Sequence, residues 1–261
     1  MDQDSITQEI APIISNTRIM DRTHLMVIQT DRSPAVRPGQ FAMLACGHSH
    51  EHMLRRPVSF FDFQPGKAAF LFSIVGAGTA WLAERHPGET LDVLGAFGNG
   101  FSINAGTRHL LLVAGGIGIA PLLFLARHSI SRTMQITILA GARTARQLCP
   151  DSLIPTGCNY WKVTEDGSVG EKGLVTALLP RFIGWADQIC VCGPLPMLKA
   201  VAADYGPSLN HKSVQVSLEV RMGCGFGYCY ACTIRTATGL RQVCHDGPIF
   251  PLDEVIWDEL K

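Results

Sequence analysis

The sequence has no excess of charge of either sign, since 22 Lys and Arg residues balance 22 Asp and Glu residues among 261. It also has no basic tract or tail. Binding to nucleic-acid phosphates requires clustered positive charge, so we expect no nucleic-acid partner. The first residues, MDQDSITQEI, lack the basic and apolar regions of a secretory signal. We therefore expect a cytoplasmic protein.

The sequence also lacks an apolar run long enough to span a membrane. The best candidate is residues 110–126, LLLVAGGIGIAPLLFLA, which contain four Gly or Pro residues. This stretch is shorter than the ~20 apolar residues that a spanning helix needs. A buried strand, a Gly-rich turn and a helix explain it better, and we expect no membrane partner.

A disulfide framework is not expected either. The chain has nine cysteines, an odd number, and cysteines without an export signal favour metal or redox chemistry. Four of the nine lie between residues 224 and 244 with the spacing C-x4-C-x2-C-x11-C: Cys224, Cys229, Cys232 and Cys244.

The spacing of the first three of these cysteines follows that of plant-type [2Fe–2S] ferredoxins. A loop around a compact cluster must bring its thiolates close together, and Gly223, Gly225 and Gly227 supply the backbone freedom for this. The alternative is a structural zinc ion on four thiolates. Zinc sites usually have two C-x2-4-C pairs, and only one such pair is present here.

The pattern of elements predicts a multidomain β plus α/β protein. Short strands separated by Gly- and Pro-containing turns, at 23–29, 40–45, 58–63, 68–75 and 90–94, are typical of an antiparallel barrel. Buried strands at 109–114, 135–140 and 188–192 alternate with helical segments, as in nucleotide-binding α/β domains. We predict a β-barrel over 1–104, a Rossmann-like domain over 105–213 and a Cys-rich module over 214–261.

Shorter motifs are compatible both with cofactor sites and with ordinary structure. The sequence GGIGIAP at 115–121 suits a pyrophosphate or a plain strand-to-helix turn. The CGP at 192–194 places a thiol at a sheet edge where ligands bind, but Cys192 could equally be a small, buried apolar residue. RPVS at 56–59 together with GAGT at 76–79 is suited to binding a flavin phosphate, but the arginine could equally be a surface residue at the start of a strand. The alternating His48, His50 and His52 are a weak metal-site candidate in a predicted loop.

In this order, the motifs resemble those of the ferredoxin reductase-like electron-transfer subunits of dihydroorotate dehydrogenase type B. The resemblance covers nearly the whole chain, from RPVS and GAGT through GGIGIAPL and CGPLPMLKA to EVRMGCGFGYCYAC and VCHDGPIF. The last two motifs are specific to this family, whereas R-P-x-S and CGP occur across the wider reductase superfamily. The resemblance implies an FAD-binding barrel, a [2Fe–2S] cluster on the four cysteines and electron transport in pyrimidine biosynthesis.

The resemblance also implies where the other cofactors bind. FAD is expected on Arg56, Pro57, Val58, Ser59, Leu71, Phe72, Ser73, Gly78 and Thr79. Ser73 departs from relatives that often carry a basic residue there. The nicotinamide nucleotide, NAD(P)H, is expected at Gly116, Gly118 and Pro121, with the candidate catalytic residue Cys192 and with Gly193 and Pro194 near the nicotinamide.

The implied partner is a catalytic flavoprotein subunit, dihydroorotate dehydrogenase, in a heterotetramer. Related subunits serve hydrogenases, sulfite reductases and transhydrogenating complexes, and Cys224 argues against the last group, some of whose members carry aspartate there. A stand-alone flavin reductase and a zinc-stapled binding module are the alternatives from other classes. The resemblance favours NADH, although Arg143 or Arg146 could pair with the 2′-phosphate of NADPH.

Overall fold

The computed structural model describes residues 7–31, 36–47, 53–131, 133–209 and 212–260. The three histidines of the weak metal-site candidate, His48, His50 and His52, lie outside the described residues. Within the described ranges the chain forms a closed barrel, a seven-stranded sheet and a two-stranded hairpin. No helix in these ranges is long and apolar enough to cross a membrane.

The barrel has the antiparallel strand order β1-β2-β5-β4-β3-β6. Its strands are β1 (Gln8–Met20), β2 (Thr23–Gln29), β3 (Phe41–Leu44), β4 (Arg56–Gln64), β5 (Lys67–Ser73) and β6 (Thr90–Phe97). Helix α1 (Ala77–Ala83) connects β5 to β6. Met26, Ile28, Phe60 and Phe70 are fully buried inside, and each such side chain stabilises the fold by about 1.5–3 kcal/mol.

The second unit is a mostly parallel sheet covered by helices. Its strand order is β10-β9-β8-β7-β11-β12-β15, and only β15 runs antiparallel to its neighbour. The elements are β7 (His109–Gly115), α2 (Ile119–Ser129), β8 (Gln135–Ala142), β9 (Cys158–Thr164), β10 (Glu171–Lys172), α3 (Leu179–Phe182), β11 (Gln188–Cys192), α4 (Leu195–Leu209), β12 (Ser213–Ser217) and, later in the chain, β15 (Ile249–Pro251). Leu110 to Ala114 of β7 are completely buried, because this strand lies in the middle of the sheet.

The C-terminal module consists of a loop that carries the cysteines and the hairpin β13 (Thr233–Thr236) and β14 (Gly239–Gln242). The chain then returns as β15 to the edge of the α/β sheet beside β12. The sheet therefore extends past residue 213, where the predicted boundary falls. Together the barrel, the α/β sheet and the module confirm the predicted fold class.

Two buried glutamines hold the segment that links the barrel to β7 against the α/β sheet. Gln188 of β11 and Gln215 of β12 both donate to the carbonyl of Ser102, at 2.6 and 2.7 Å. Arg127 of α2 adds a second link, because its guanidinium donates to the carbonyl of Phe61 in the barrel at 3.0 Å. The two units are thereby held in one orientation, which fixes the cleft between them.

Candidate functional site

The four clustered cysteines converge in one loop. Cys224 and Cys229 each present a backbone N–H to the other's sulfur at 3.4 Å, and the sulfurs of Cys232 and Cys244 lie 3.2 Å apart. Three more backbone N–H groups point at sulfur: Tyr228 at Cys224 (3.3 Å), Gly227 at Cys244 (3.1 Å) and Cys244 at Cys232 (3.4 Å). The thiols thus form two adjacent pairs that accept backbone hydrogen bonds.

This paired arrangement fits a [2Fe–2S] cluster, whose two irons each take two of the four thiolates. Desolvation acts against ionisation of Cys224, but backbone N–H donors outweigh it and lower its pKa. Burial raises the pKa of Cys244, so its thiolate would depend on the bound iron.

The cysteine loop packs directly on the barrel. A Cβ on Gly225 would lie only 2.4 Å from Cγ of Met43 in β3, and the φ of +88° at this residue also favours glycine. Next to it, the ring of Phe226 lies 6.0 Å from that of Phe97 in β6. The loop and two barrel strands therefore share one apolar contact.

Arg56 and Gly78 lie close together where β4 begins, next to the end of β3. A Cβ at Gly78 would approach Nε of Arg56 to 2.9 Å, so the guanidinium lies against the start of α1. The Thr79 hydroxyl accepts the N–H groups of Val75 (2.9 Å) and Gly76 (3.2 Å) and fixes this turn. A guanidinium beside a glycine turn is suited to a pyrophosphate, because Arg forms bidentate, charge-assisted bonds with it.

The other predicted flavin residues differ in exposure. Val58 is buried, Ser59 and Ser73 are half-buried, and Pro57 is exposed. Leu71 and Phe72 are buried at 2% and 3% exposure. Phe72 packs in the barrel core, and Leu71 packs in the apolar cluster that the barrel shares with β7 and α2. Ser73 bonds to the hydroxyl of Thr23 at 2.9 Å. Arg22, which the motifs do not single out, donates twice to the adjacent carbonyl of Ile74.

Only one of the three predicted nucleotide residues faces open space. Gly116 is exposed, has a φ of +53° and would have no atom within 4 Å of an added Cβ. Gly118 instead contacts the end of β11, because its Cβ would lie 2.3 Å from the carbonyl oxygen of Cys192. Pro121 is buried in α2. Gly118 and Pro121 therefore shape the turn from inside.

Cys192 ends β11 in register with Ala114 of β7 and Ser217 of β12. It is only 2% exposed. Burial raises its pKa, and the carboxylate of Glu219 adds to this effect. The thiol is therefore neutral and is no nucleophile in this arrangement. A Cβ added at the neighbouring Gly193 would lie 3.0 Å from the Cα and the nitrogen of Gly115, so the turns after β7 and β11 are closely packed.

Glu219 begins the motif EVRMGCGFGYCYAC but is not among the predicted site residues. It follows β12 at the same carboxyl edge as Cys192, and its exposed side chain is crowded by protein that raises its pKa. The signal that could have found it is its place just after a parallel strand, where α/β sheets bind ligands. Gly116, Pro194 and Glu219 are the exposed residues at the ends of β7, β11 and β12. They lie at the carboxyl edge of the sheet, which is where open α/β sheets bind their ligands.

This combination of a flavin-type barrel, a nucleotide-binding sheet and a four-cysteine loop defines an iron–sulfur reductase. Two family models match the chain. One, the oxidoreductase NAD-binding domain, matches residues 112–203. The other, the iron–sulfur cluster binding domain of dihydroorotate dehydrogenase B, matches residues 219–256.

Curated relatives agree with these matches. The dihydroorotate dehydrogenase B (NAD(+)) electron transfer subunit of Bacillus caldolyticus is 35% identical over 260 residues, with 96% of this chain and 99% of the relative covered. The protein of the same name from Desulforamulus reducens is 36% identical over 232 residues, covering 85% and 87%. The chain therefore belongs to the family of dihydroorotate dehydrogenase B electron transfer subunits.

Solved structures support the same fold. A chain of the NADH-dependent reduced ferredoxin–NADP oxidoreductase, described for flavin-based electron bifurcation, has a TM-score of 0.85 and 29% identity and covers 97% of this chain and 91% of its own. A ferredoxin–NADP+ reductase from Neisseria gonorrhoeae with bound FAD and NADP has a TM-score of 0.66 at 16% identity, covering 79% and 92%. The predicted family and fold class are confirmed, and with them an oxidoreductase-type electron-transfer subunit with NAD-binding and iron–sulfur-binding domains.

Proposed function

We propose that this chain takes a hydride from NADH, or returns one to NAD+, and exchanges single electrons with a catalytic partner subunit through FAD and a [2Fe–2S] cluster. The observation that carries the proposal is the contact of the cysteine loop with the barrel at Gly225–Met43 and Phe226–Phe97. This contact brings the iron–sulfur ligands next to the unit that would hold the flavin. FAD supplies the chemistry that links two-electron to one-electron transfer.

In this proposal the barrel residues bind and orient FAD. Arg56 pairs with the pyrophosphate while Gly78 leaves room for the guanidinium, and Thr79 holds the turn. Pro57, Val58, Ser59 and the strand Leu71, Phe72 and Ser73 form the wall on which the flavin lies. Ser73 is uncharged and already bonded to Thr23, so Arg56 provides most of the positive charge toward the phosphates.

The nucleotide would lie across the carboxyl ends of β7 and β11. Gly116 lets its phosphates approach the backbone, while Gly118 and Pro121 set the turn. Cys192, Gly193 and Pro194 close the nicotinamide end. Because Cys192 is buried and neutral, it would support the nicotinamide end from within rather than contact the ring.

The four thiolates of Cys224, Cys229, Cys232 and Cys244 would hold the cluster. Cys229 is exposed together with Tyr228 and Tyr230, which are 81% and 69% exposed. Electrons would leave at this exposed side of the loop. The partner would be a dihydroorotate dehydrogenase subunit in a cytoplasmic heterotetramer, so that the complex oxidises dihydroorotate for pyrimidine biosynthesis.

A direct test uses the chain produced together with a dihydroorotate dehydrogenase catalytic subunit. The expected result is a coloured complex with two irons per copy of this chain, whose flavin and cluster absorbance bleach anaerobically with NADH or with dihydroorotate. A colourless zinc-containing protein would refute the proposal. Bleaching by NADH in the isolated chain, with no association with the catalytic subunit, would favour a stand-alone flavin reductase.

A second candidate follows from the similarity to the bifurcating oxidoreductase chain at TM-score 0.85. In that case the partner is a second nucleotide-dependent flavoprotein and the complex transfers electrons between NAD(H) and NADP(H). The two candidates differ in their substrates. Dihydroorotate-dependent reduction of NAD+ by the purified complex supports the first, and NADPH-dependent reduction of NAD+ with ferredoxin supports the second.

A further inference from the structure

Asn99 makes a dense set of contacts between the barrel and the cysteine module. Its side-chain amide donates to the carbonyls of Asp246 (3.0 Å) and Ile249 (2.8 Å), and its side-chain oxygen accepts the N–H of Ile249 at 3.0 Å. Its own backbone N–H donates to the carbonyl of Gly247 at 2.6 Å. One residue just after β6 thus binds three residues that lie just after Cys244.

The residue before Asn99 strengthens the same junction. An added Cβ at Gly98 would lie 2.6 Å from the carbonyl oxygen of Gly247 and 2.6 Å from Cδ of Pro248. Gln40 at the start of β3 donates to the carbonyl of Gly98 at 2.8 Å. The segment 97–99 is therefore wedged between the barrel and the end of the module, with no space for a side chain at 98.

A chain of hydrogen bonds continues from Asn99 toward the cysteine sulfurs. The Asp246 carboxylate accepts the N–H of Gln242 at 2.7 Å, and the Gln242 side chain donates to the carbonyl of Gly227 at 2.9 Å. The N–H of Gly227 points at the sulfur of Cys244 at 3.1 Å. At the other end, Phe97 lies two residues before Asn99 and packs against Phe226 of the cysteine loop.

We infer that Asn99 is a positioning residue that holds the cluster at its working distance from the flavin and so sets the rate of electron transfer between them. The inference rests on the proposed function. In this step no bond forms or breaks between the two centres, since one electron leaves the reduced flavin and one ferric ion of the cluster becomes ferrous. The rate of such a transfer falls steeply with distance, so a loosened junction slows it.

The test compares Asn99→Ala with Asn104→Ala in the complete complex. Asn104 is exposed on the same connecting segment, and its backbone N–H, rather than its side chain, provides the bond to Gln188. After rapid anaerobic mixing with NADH, flavin bleaching is followed by absorbance and cluster reduction by freeze-quench electron paramagnetic resonance. Hydrogen–deuterium exchange of residues 244–250 is measured independently of turnover.

For Asn99→Ala we expect normal iron and FAD content, an unchanged rate of flavin reduction, and cluster reduction slower by about threefold or more, the size typical of a lost distant positioning contact. Exchange in 244–250 should be faster than in the wild type. Asn104→Ala should match the wild type in all of these measurements. Asn99→Asp keeps the acceptor for Ile249 but has no donor for the two carbonyls, so it should be at least as slow as Asn99→Ala.

Wild-type cluster reduction in Asn99→Ala, with faster exchange in 244–250, would overturn the inference. If Asn99→Ala loses iron, Gln40→Ala decides, because it leaves Asn99 in place and removes the bond to Gly98 together with the bond that the Gln40 side chain accepts from the N–H of Arg37. Slower cluster reduction at full iron content in Gln40→Ala supports the positioning role, and iron loss there too refutes it. Failure of NADH to reduce the flavin in the wild-type complex would instead refute the proposed function.

Discussion

Substitution of Gly118 by alanine tests how the two sheet turns build the nucleotide site. The φ of this residue is −58°, so its backbone accommodates alanine without strain. The new Cβ, however, would lie 2.3 Å from the carbonyl oxygen and 2.5 Å from the carbonyl carbon of Cys192. These are backbone atoms at the end of a buried strand and cannot rotate away.

The expected magnitude follows from this overlap. Ordinary contact begins near 3.4 Å, so the turns after β7 and β11 must separate by about 1 Å in a closely packed region. Overpacking of this kind costs about 1–3 kcal/mol of stability. Because Cys192–Pro194 would close the nicotinamide end, a shift of ~1 Å there should slow hydride transfer by roughly ten- to a hundredfold.

Gly116→Ala is the comparison variant, in which we expect weaker nucleotide binding but normal hydride transfer once the nucleotide is saturating. Its Cβ meets no atom within 4 Å, but its φ of +53° lies in the left-handed region, which costs a non-glycine residue about 1–2 kcal/mol. The two variants should lose similar stability in urea unfolding. In stopped-flow measurements of flavin bleaching by NADH at saturating nucleotide, only Gly118→Ala should be strongly slowed. Wild-type hydride transfer in Gly118→Ala, or an equal loss in both variants, would refute the reasoning.

Three further predictions concern the cofactors. Serine at any of the four cluster positions should lower the iron content below two atoms per chain: Cys224, Cys229, Cys232 or Cys244. Cys46→Ser in the barrel core should leave the iron content unchanged. Full iron content in any of the four variants would rule out that cysteine as a ligand. Arg56→Ala should weaken FAD binding by about 1.5–3 kcal/mol in apoprotein titrations. Arg18→Ala, which breaks an exposed pair with Asp21 and a bond to the carbonyl of Met20, should leave FAD binding unchanged. Equal affinities for both variants would contradict the pyrophosphate contact. Because burial raises the pKa of Cys192, its thiol should resist iodoacetamide up to about pH 9, and rapid labelling of the folded protein would show that this side chain is accessible.

Elements with strong local signals are predictable from the sequence. The predicted strand 188–192 coincides with β11, and 23–29 coincides with β2, since both are apolar runs bounded by turn residues. Strand β1 is not among the predicted strands because its second half, with Ser15, Asn16, Thr17 and Arg18, has no regular apolar alternation. The segment forms a strand because it pairs with both β2 and β6, and strand formation depends on such neighbours more than on intrinsic propensity.

The candidate site also has parts that local sequence patterns predict and parts that they do not. Cys224, Cys229 and Cys232 are close in sequence, so their spacing predicts one loop, and Cys244 follows the hairpin that comes after it. The contact of Gly225 with Met43 joins residues far apart in the chain, and no local pattern encodes it. Likewise, the GGIG motif predicts a glycine turn but not that Gly118 packs on Cys192, because that role depends on the neighbouring β11.

Nucleotide choice depends on charge at the carboxyl edge of β8 and β9. The segment after β8 carries Arg143 but no acid, which by itself would suit NADPH. The structure brings acids to this edge from β9, since the N–H of Glu165 bonds to the carbonyl of Ala142 (3.0 Å) and that of Asp166 to the carbonyl of Arg143 (3.2 Å). Hydrogen bonds from Ser168 lower the pKa of Asp166, which keeps it ionised.

We therefore predict a preference for NADH, because carboxylates near the ribose repel a 2′-phosphate and can accept a bond from a 2′-hydroxyl. Arg143→Ala should change the ratio of kcat/KM for NADH to that for NADPH by less than about threefold, or ~0.7 kcal/mol. Glu165→Gln should shift the ratio further toward NADPH, and the exposed Glu84→Gln, on the barrel after α1, should leave it unchanged. Steady-state reduction of a dye acceptor with both nucleotides measures all four proteins. A wild-type preference for NADPH of about tenfold, or 1.4 kcal/mol, that Arg143→Ala abolishes would show that the guanidinium, and not the carboxylates, selects the nucleotide.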